Sequence, residues 1–226
     1  TISKYLPDSQ EVAERTLRWL MCVQQSLSTK CFLAAVSVKS CGSFVPRAKH
    51  DILKICRSLI VEDEKLNTFR FAHLSVKEFL EEAQGYDYTD TANHTTAAET
   101  CLVYLCRNDR DLLQDSQLRE FCTYAVTYWP THCYKAGREN RREGRLGKLF
   151  SSFACASEVS PEFANWLQRI SKIGKHLRRR DSAQWQKLRD CRCTRPTAFF
   201  TACAFALDEL VENCLAVEPD LAKRNT

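Results

Sequence analysis

Apolar residues recur at three- and four-residue spacing along most of the chain, which is the pattern of amphipathic helices. The first such segment covers 8–25, and Ser28 has the side chain expected of an N-cap for a second, shorter helix. Pro46 is suited to the start of a third helix, whose apolar stripe includes Ile52 and Cys56. The pattern therefore predicts three successive helices before residue 60.

The period then changes from helical to extended. Two short segments rich in strand-forming residues, 59–63 and 67–72, flank a turn at 64–66. Three helices followed by a two-stranded wing is the layout of a winged helix.

The segment that follows the second strand begins another helix. Ser75 and Glu78 have the S-x-x-E spacing of a capping box, and Leu74 and Phe79 occupy the matching hydrophobic-staple positions. These local roles account for four residues and leave His73 unexplained.

The rest of the chain also has mainly helical periodicity. Further helices are predicted over 92–107, 118–132, 146–156 and 161–173, the second interrupted by Pro130. Residues 174–195 are polar and basic and suggest a linker. Two short apolar helices, joined at Leu207 and Asp208, are predicted within 197–215.

Composition excludes several classes of protein. Six Gly and six Pro in 226 residues are too few for a turn-rich β-sandwich or a Gly-rich cofactor fold. No apolar run has the length of a membrane span. No G-x-x-x-x-G-K-[S/T] phosphate loop and no local catalytic signature occur, so we expect no enzyme and no bound cofactor within this segment.

The chain has 13 cysteines, and most lie at positions where a small apolar residue would fit. Eight of them fall in apolar-periodic segments: Cys22, Cys56, Cys101, Cys106, Cys122, Cys155, Cys203 and Cys214. The pattern favours reduced core thiols in a cytoplasmic protein. Cys191-x-Cys193 and His132-Cys133 lack a second ligand pair at useful spacing, so we expect no metal site.

Charge is unevenly distributed around a formal net charge of +5. Residues 135–194 hold a large excess of Lys and Arg, which suits nucleic acid, anionic lipid, an acidic protein face, or simply a solvated helix face. Four basic residues could also form the polar face of a DNA-recognition helix: Arg47, His50, Lys54 and Arg57. The surrounding region is net negative, so nucleic acid is the alternative and not the favoured partner.

Several motifs together resemble a known family. They are TLRWL at 16–20, DILKIC at 51–56, FRFAHLSVKEFL at 69–80, CLVYL at 101–105 and YAVTYWP at 124–130. Residues 11–134 thereby resemble the winged-helix region, and the helices after it, of fungal NACHT-type STAND NTPases, the NLR-like receptors. This winged helix is often labelled after a GPI inositol-deacylase, but no G-x-S-x-G nucleophile motif is present here.

The resemblance implies a role for His73. In such receptors the histidine of the F-x-H-L-S motif contacts the phosphate of bound ADP and holds the closed state. An imidazole N–H can donate to a phosphate oxygen, so the chemistry is reasonable. ADP or ATP would then belong to the NACHT NTPase domain of the parent protein.

The C-terminal segment resembles a degenerate ankyrin repeat. Within 197–211, Ala198, Phe200 and Ala206 stand where Pro, His and Gly are usual. Such departures suit a capping repeat, and the resemblance implies that further repeats sense a protein ligand.

The sequence thus predicts a mainly α protein with three parts. These are a winged-helix domain at 1–90, a helical connector at 91–194 and the start of an ankyrin-type α-solenoid at 195–226. We expect a non-catalytic, cytoplasmic regulatory segment of a signalling receptor, coupling an upstream NACHT NTPase to downstream ankyrin repeats. A winged-helix DNA-binding module is the alternative.

Overall fold

The structure, a computed structural model, describes residues 7–39, 41–82, 88–107, 116–155, 159–192, 198–217 and 219. The fold is mainly helical, as predicted. The helices of these ranges are α1 (Pro7–Cys22), α2 (Thr29–Ser37), α3 (Lys49–Cys56), α4 (Leu74–Glu82), α5 (Asp90–Leu105), α6 (Ser116–Lys135), α7 (Arg138–Arg142), α8 (Gly144–Phe153), α9 (Pro161–Arg180), α10 (Ser182–Asp190), α11 (Ala198–Phe205) and α12 (Asp208–Val217). The predicted ankyrin-like residues at 195–197, 218 and 220–226 lie outside the described residues.

The predicted winged-helix elements are present in the expected order. Ser28 caps α2, its Oγ accepting the Cys31 N–H at 3.2 Å. Strands β1 (Ile60–Asp63) and β2 (Thr68–Phe71) pair antiparallel in a two-stranded wing. The turn between them is anchored to the start of α2, because the Asn67 carbonyl accepts the Thr29 N–H at 2.8 Å.

Helix α3 is shorter than the sequence suggests. It begins at Lys49, three residues after Pro46, so the placement of Pro46 at the helix start is wrong. It ends at Cys56 because Arg57 adopts a φ of +50°, in the left-handed region that an α-helix cannot continue through. A single 3₁₀ turn, Arg57–Leu59, then leads into β1.

The winged helix and the helices after it share one core. The Trp19 ring, on α1, makes edge contacts with Phe121 and Tyr124 on α6, at centroid distances of 5.7 and 5.6 Å. Helix α6 runs unbroken through Pro130 to Lys135, so the predicted interruption does not occur. Aromatic pairs have preferred edge-to-face geometry, and this packing joins the two regions.

The predicted linker at 174–195 is wrong over most of its length. Helix α9 extends to Arg180, and Asp181 caps α10 by accepting the Gln184 N–H at 2.9 Å. Gln184 in turn donates to the Thr127 carbonyl at 2.6 Å, and Leu188 is fully buried. The linker was predicted because residues 174–195 are polar and basic, and composition alone does not show which residues of α10 are buried.

The two predicted C-terminal helices form the hairpin α11–α12. Ala206 makes the turn with a φ of +53°, a conformation that favours glycine. The hairpin is fixed to the body by a buried ion pair between Glu209 of α12 and Arg141 of α7. Their side chains are only 5% and 4% exposed.

The prediction that these cysteines are buried core thiols is only partly confirmed. Of the eight placed in apolar segments, Cys22, Cys56, Cys101 and Cys214 are buried, whereas Cys106 and Cys203 are exposed. No disulfide joins the cysteines of the described ranges. Within those ranges, no helix combines the length and apolarity that crossing a bilayer demands.

Candidate functional site

Four exposed residues at the wing turn and around α4 carry the candidate chemistry. We call Leu66, His73, Leu74 and Phe79 together the wing surface. Leu66 lies at the tip of the turn between β1 and β2, where its N–H donates to the Asp63 carboxylate at 3.1 Å. His73 lies just before α4, and Leu74 and Phe79 belong to that helix.

His73 immediately precedes α4 and is exposed to solvent. The Ser75 N–H donates to its Nδ1 at 3.2 Å, and the Ser75 hydroxyl lies 2.9 Å from the same atom. A main-chain N–H can only donate, so Nδ1 is the acceptor and the proton of the neutral ring is on Nε2. Among the described residues Nε2 has no hydrogen-bond partner, and it therefore offers an N–H donor to solvent.

This geometry corrects the predicted capping box. Helix α4 begins at Leu74, so Ser75 is its second residue and cannot be the N-cap. The His73 imidazole takes the capping role, because it accepts a first-turn N–H that has no partner inside the helix. Glu78 is exposed on the same helix.

The predicted staple is also absent. Leu74 and Phe79 are 65% and 66% exposed, and Leu66 is 70% exposed. Helix α4 uses Leu80 and the half-buried Val76 to contact the body. Three large apolar side chains of the wing turn and α4 are thus left in water.

An apolar groove of about 150 Å³ lies beside the wing. It opens between the end of α1, the loop before α2, and β2. Its apolar lining consists of Leu20, Val23, Leu27, Phe32, Phe69 and Phe71. Concave apolar surface of this kind suits contact with another apolar surface.

The four residues of the DNA alternative do not share one helix. His50 and Lys54 lie on the exposed face of α3, while Arg47 precedes it and Arg57 follows it. His50 Nε2 is 3.1 Å from the Asp51 carboxylate, so acidic groups accompany the basic ones. The prediction that these four residues line the polar face of one recognition helix is therefore wrong.

The arginines at the start of the basic segment are paired within the chain. Arg138 and Arg142 contact Glu212 of α12, and Arg145 contacts Glu99 of α5 at 3.2 Å. Burial raises the pKa of the Glu99 carboxyl above its ordinary value, while Arg145 acts in the opposite direction. The acidic face met by this part of the basic segment belongs to the protein itself.

A separate polar group lies in the core. Cys22, His94 and His132 are all buried, and one ligand-type atom of each lies within 4.8 Å of the others. Desolvation lowers the pKa of His94 to about 4 and that of His132 well below its ordinary value. No spacing motif connects the three residues, so this group could not be predicted from the sequence.

Residues 4–93 match the family model described as GPI inositol-deacylase, winged helix domain. The chain therefore contains a winged helix domain, which covers α1 to α4, the wing and the first residues of α5. No curated protein and no solved structure matches the chain.

Proposed function

We propose, starting from the winged helix domain at residues 4–93, that this chain is a non-catalytic regulatory segment of a multidomain NTP-dependent receptor. In this proposal the wing surface docks against an NTPase domain of the same polypeptide. His73 contacts the phosphate of the nucleoside diphosphate bound there and thereby holds a closed state. The proposal places the receptor in the cytoplasm.

The hydrogen bonding of His73 is the observation that carries this proposal. Its Nδ1 is occupied by Ser75, which sets the tautomer and leaves Nε2–H directed away from the cap. A phosphate oxygen is a strong acceptor for such a donor. The histidine is already oriented before any partner arrives, so little side-chain entropy is lost on contact.

The apolar residues around His73 support docking of a protein domain. Leu66, Leu74 and Phe79 expose most of their surface, on a wing turn and on a helix that adjoins the wing, and exposed apolar area of this kind is typical of interaction sites. An NTPase surface that covers them would also exclude water from the His73–phosphate contact, which strengthens that contact.

The C-terminal hairpin supports the second half of the proposal. Helices α11 and α12 form a short helix–turn–helix, and Ala206 holds the turn conformation for which ankyrin-type repeats use glycine. We propose that this hairpin begins an ankyrin-type array that binds a protein ligand. The receptor would then couple ligand binding in the repeats to nucleotide retention in the NTPase.

The test uses the polypeptide encoded by the complete gene, loaded with ADP. His73→Asn keeps a side-chain oxygen for the cap but removes the Nε2 donor, whereas His73→Ala removes both. We expect both variants to release ADP about tenfold faster or more, since a hydrogen bond to a charged group is lost. His50→Ala is the matched control, because His50 is an exposed histidine on α3 that does not belong to the wing surface.

Two results would overturn the proposal. One is a full-length product that binds no nucleotide; the other is an unchanged ADP release rate in His73→Asn. Duplex DNA titrated into the chain at two salt concentrations provides a further check. Tight binding with a steep salt dependence would favour the DNA alternative instead.

A further inference from the structure

The buried group of Cys22, His94 and His132 lies where three helices meet. Cys22 is the last residue of α1, His94 lies in the first turns of α5, and His132 is near the end of α6. Each helix contributes one nitrogen or sulfur atom, and these three atoms lie within 4.8 Å of one another. Imidazole nitrogen and thiolate sulfur are the ligand atoms that Zn²⁺ prefers.

Both histidines turn the same ring nitrogen inward. His94 Nδ1 and His132 Nδ1 face each other at 2.7 Å, and the outward nitrogens have partners of their own. His132 Nε2 is 2.8 Å from the Tyr124 hydroxyl, and His94 Nε2 is 3.4 Å from the Asp90 carboxylate. Histidines that bind metals commonly use one nitrogen for the metal and donate from the other to an oxygen.

The contact between the two inward nitrogens shows that a lone pair is available there. At 2.7 Å one Nδ1 must accept from the other, so at least one ring is neutral and keeps an inward lone pair. Without a metal, the two Nδ1 atoms share one proton: Tyr124 donates to His132 Nε2, His132 Nδ1–H donates to His94 Nδ1, and His94 Nε2–H donates to Asp90.

The thiol completes a three-ligand set. Cys22 Sγ lies 3.5 Å from the Asn93 carbonyl, so an oxygen atom adjoins the sulfur. A cation that binds here displaces the thiol proton of Cys22, because the thiolate is the form that binds a metal. Three protein ligands leave the fourth tetrahedral position to an oxygen, either water or a neighbouring carbonyl.

We propose that Cys22, His94 and His132 bind one Zn²⁺ ion that ties the winged helix to the helices after it. Binding releases one proton, from the Cys22 thiol. His132 shifts its proton from Nδ1 to Nε2, where the Tyr124 oxygen accepts it. The ion is structural: it joins α1, α5 and α6 inside the core, with no access for a substrate.

The experiment uses the untagged chain, expressed with added zinc and purified without chelator. Metal content is measured by mass spectrometry for wild type and for the Cys22→Ser, His94→Gln and His132→Gln variants. We expect about one zinc per chain in the wild type and a loss of most of it in each variant. Cys41→Ser and His50→Gln are matched controls at exposed positions and should keep the full content.

Cobalt replaces zinc as a spectroscopic probe. A thiolate bound to tetrahedral Co²⁺ gives a sulfur-to-metal charge-transfer band together with intense visible bands. We expect these bands in the wild type and their loss in Cys22→Ser. Cys22→Ser exchanges only a sulfur for an oxygen and is the most conservative of the three substitutions. Circular dichroism then tests whether this variant remains folded.

Two outcomes overturn the proposal. If folded wild type takes up neither zinc nor cobalt, the site is a hydrogen-bonded histidine pair only. If Cys22→Ser and His94→Gln hold as much zinc as the wild type, the metal binds elsewhere.

Discussion

The wing surface exposes apolar side chains to water, whereas the junction between α7 and α12 buries charged ones. At the wing surface Leu66, Leu74 and Phe79 face water. At the junction the charged side chains of Arg141 and Glu209 are buried against each other. The charges of the junction are therefore paired within this chain, whereas the apolar side chains of the wing surface have no such cover among the described residues.

Physical chemistry explains why both arrangements can exist. The buried pair is tolerated because Arg141 forms two contacts to Glu209 and also donates to the Cys133 and Tyr134 carbonyls, at 2.6 and 2.9 Å. Buried charge is stable only with such complete pairing. The exposed apolar residues need no pairing, but leaving them in water forgoes about 1.5–3 kcal/mol of burial free energy each.

The largest effect on the free energy of unfolding is expected at Glu209. Glu209→Ala should lower the free energy of unfolding by about 3–5 kcal/mol, because it leaves the Arg141 charge buried without its partner. Urea denaturation followed by circular dichroism measures the change. Glu212→Ala removes the exposed ion pairs to Arg138 and Arg142 and should cost only about 0–1 kcal/mol. Equal losses in the two variants would mean that Glu209 is solvated in solution.

A smaller effect of opposite sign is expected at Ala206, in the turn of the same hairpin. Ala206→Gly should raise the free energy of unfolding by about 1 kcal/mol, since glycine adopts a positive φ without steric cost. Thermal denaturation measures the gain. Ala202→Gly, within α11, is a matched control that should destabilise the protein. A loss of stability in Ala206→Gly would contradict the left-handed turn.

At the wing surface, His73 should have a modest effect on stability. His73→Ala should cost about 0.5–1 kcal/mol, because the first turn of α4 loses its cap. His73→Asn should stay near the wild-type value, since an asparagine oxygen can accept the same N–H. Chemical denaturation of the three proteins side by side distinguishes them. An unaffected His73→Ala would show that the Ser75 contact has no stabilising role.

The smallest change is expected for the exposed apolar residues. Leu74→Ser and Phe79→Ser should alter the free energy of unfolding by no more than about 0.5 kcal/mol, as surface substitutions do. Urea denaturation of each variant measures this. Leu80→Ser, on the buried side of α4, is the control and should be clearly destabilising. A large loss in Phe79→Ser would show that this side chain packs against the chain itself.

Local signals in the sequence predicted the winged helix well. The Ser28 cap, the change of period at residue 59 and the turn before Asn67 depend on neighbouring residues, so short-range patterns suffice. The order of elements and the resemblance then pointed to the same fold, and the family match at 4–93 confirms it.

Other features depended on contacts that local patterns do not contain. The capping box at Ser75 has a correct motif, but His73 supplied a better-placed acceptor one residue before the helix. Helix α10 was predicted to be part of a linker because it has only two buried residues, Gln184 and Leu188, in a segment that is otherwise polar and charged. The group of Cys22, His94 and His132 has no sequence signature, since only packing of three helices brings those atoms together.

Arg141 has a mechanical consequence. One guanidinium holds the α12 carboxylate with two of its nitrogens and the last-turn carbonyls of α6 with the third. A displacement of α12 would therefore act on the turn of α6 that contains His132 through this planar group, and on α7 through the exposed ion pairs of Arg138 and Arg142 with Glu212.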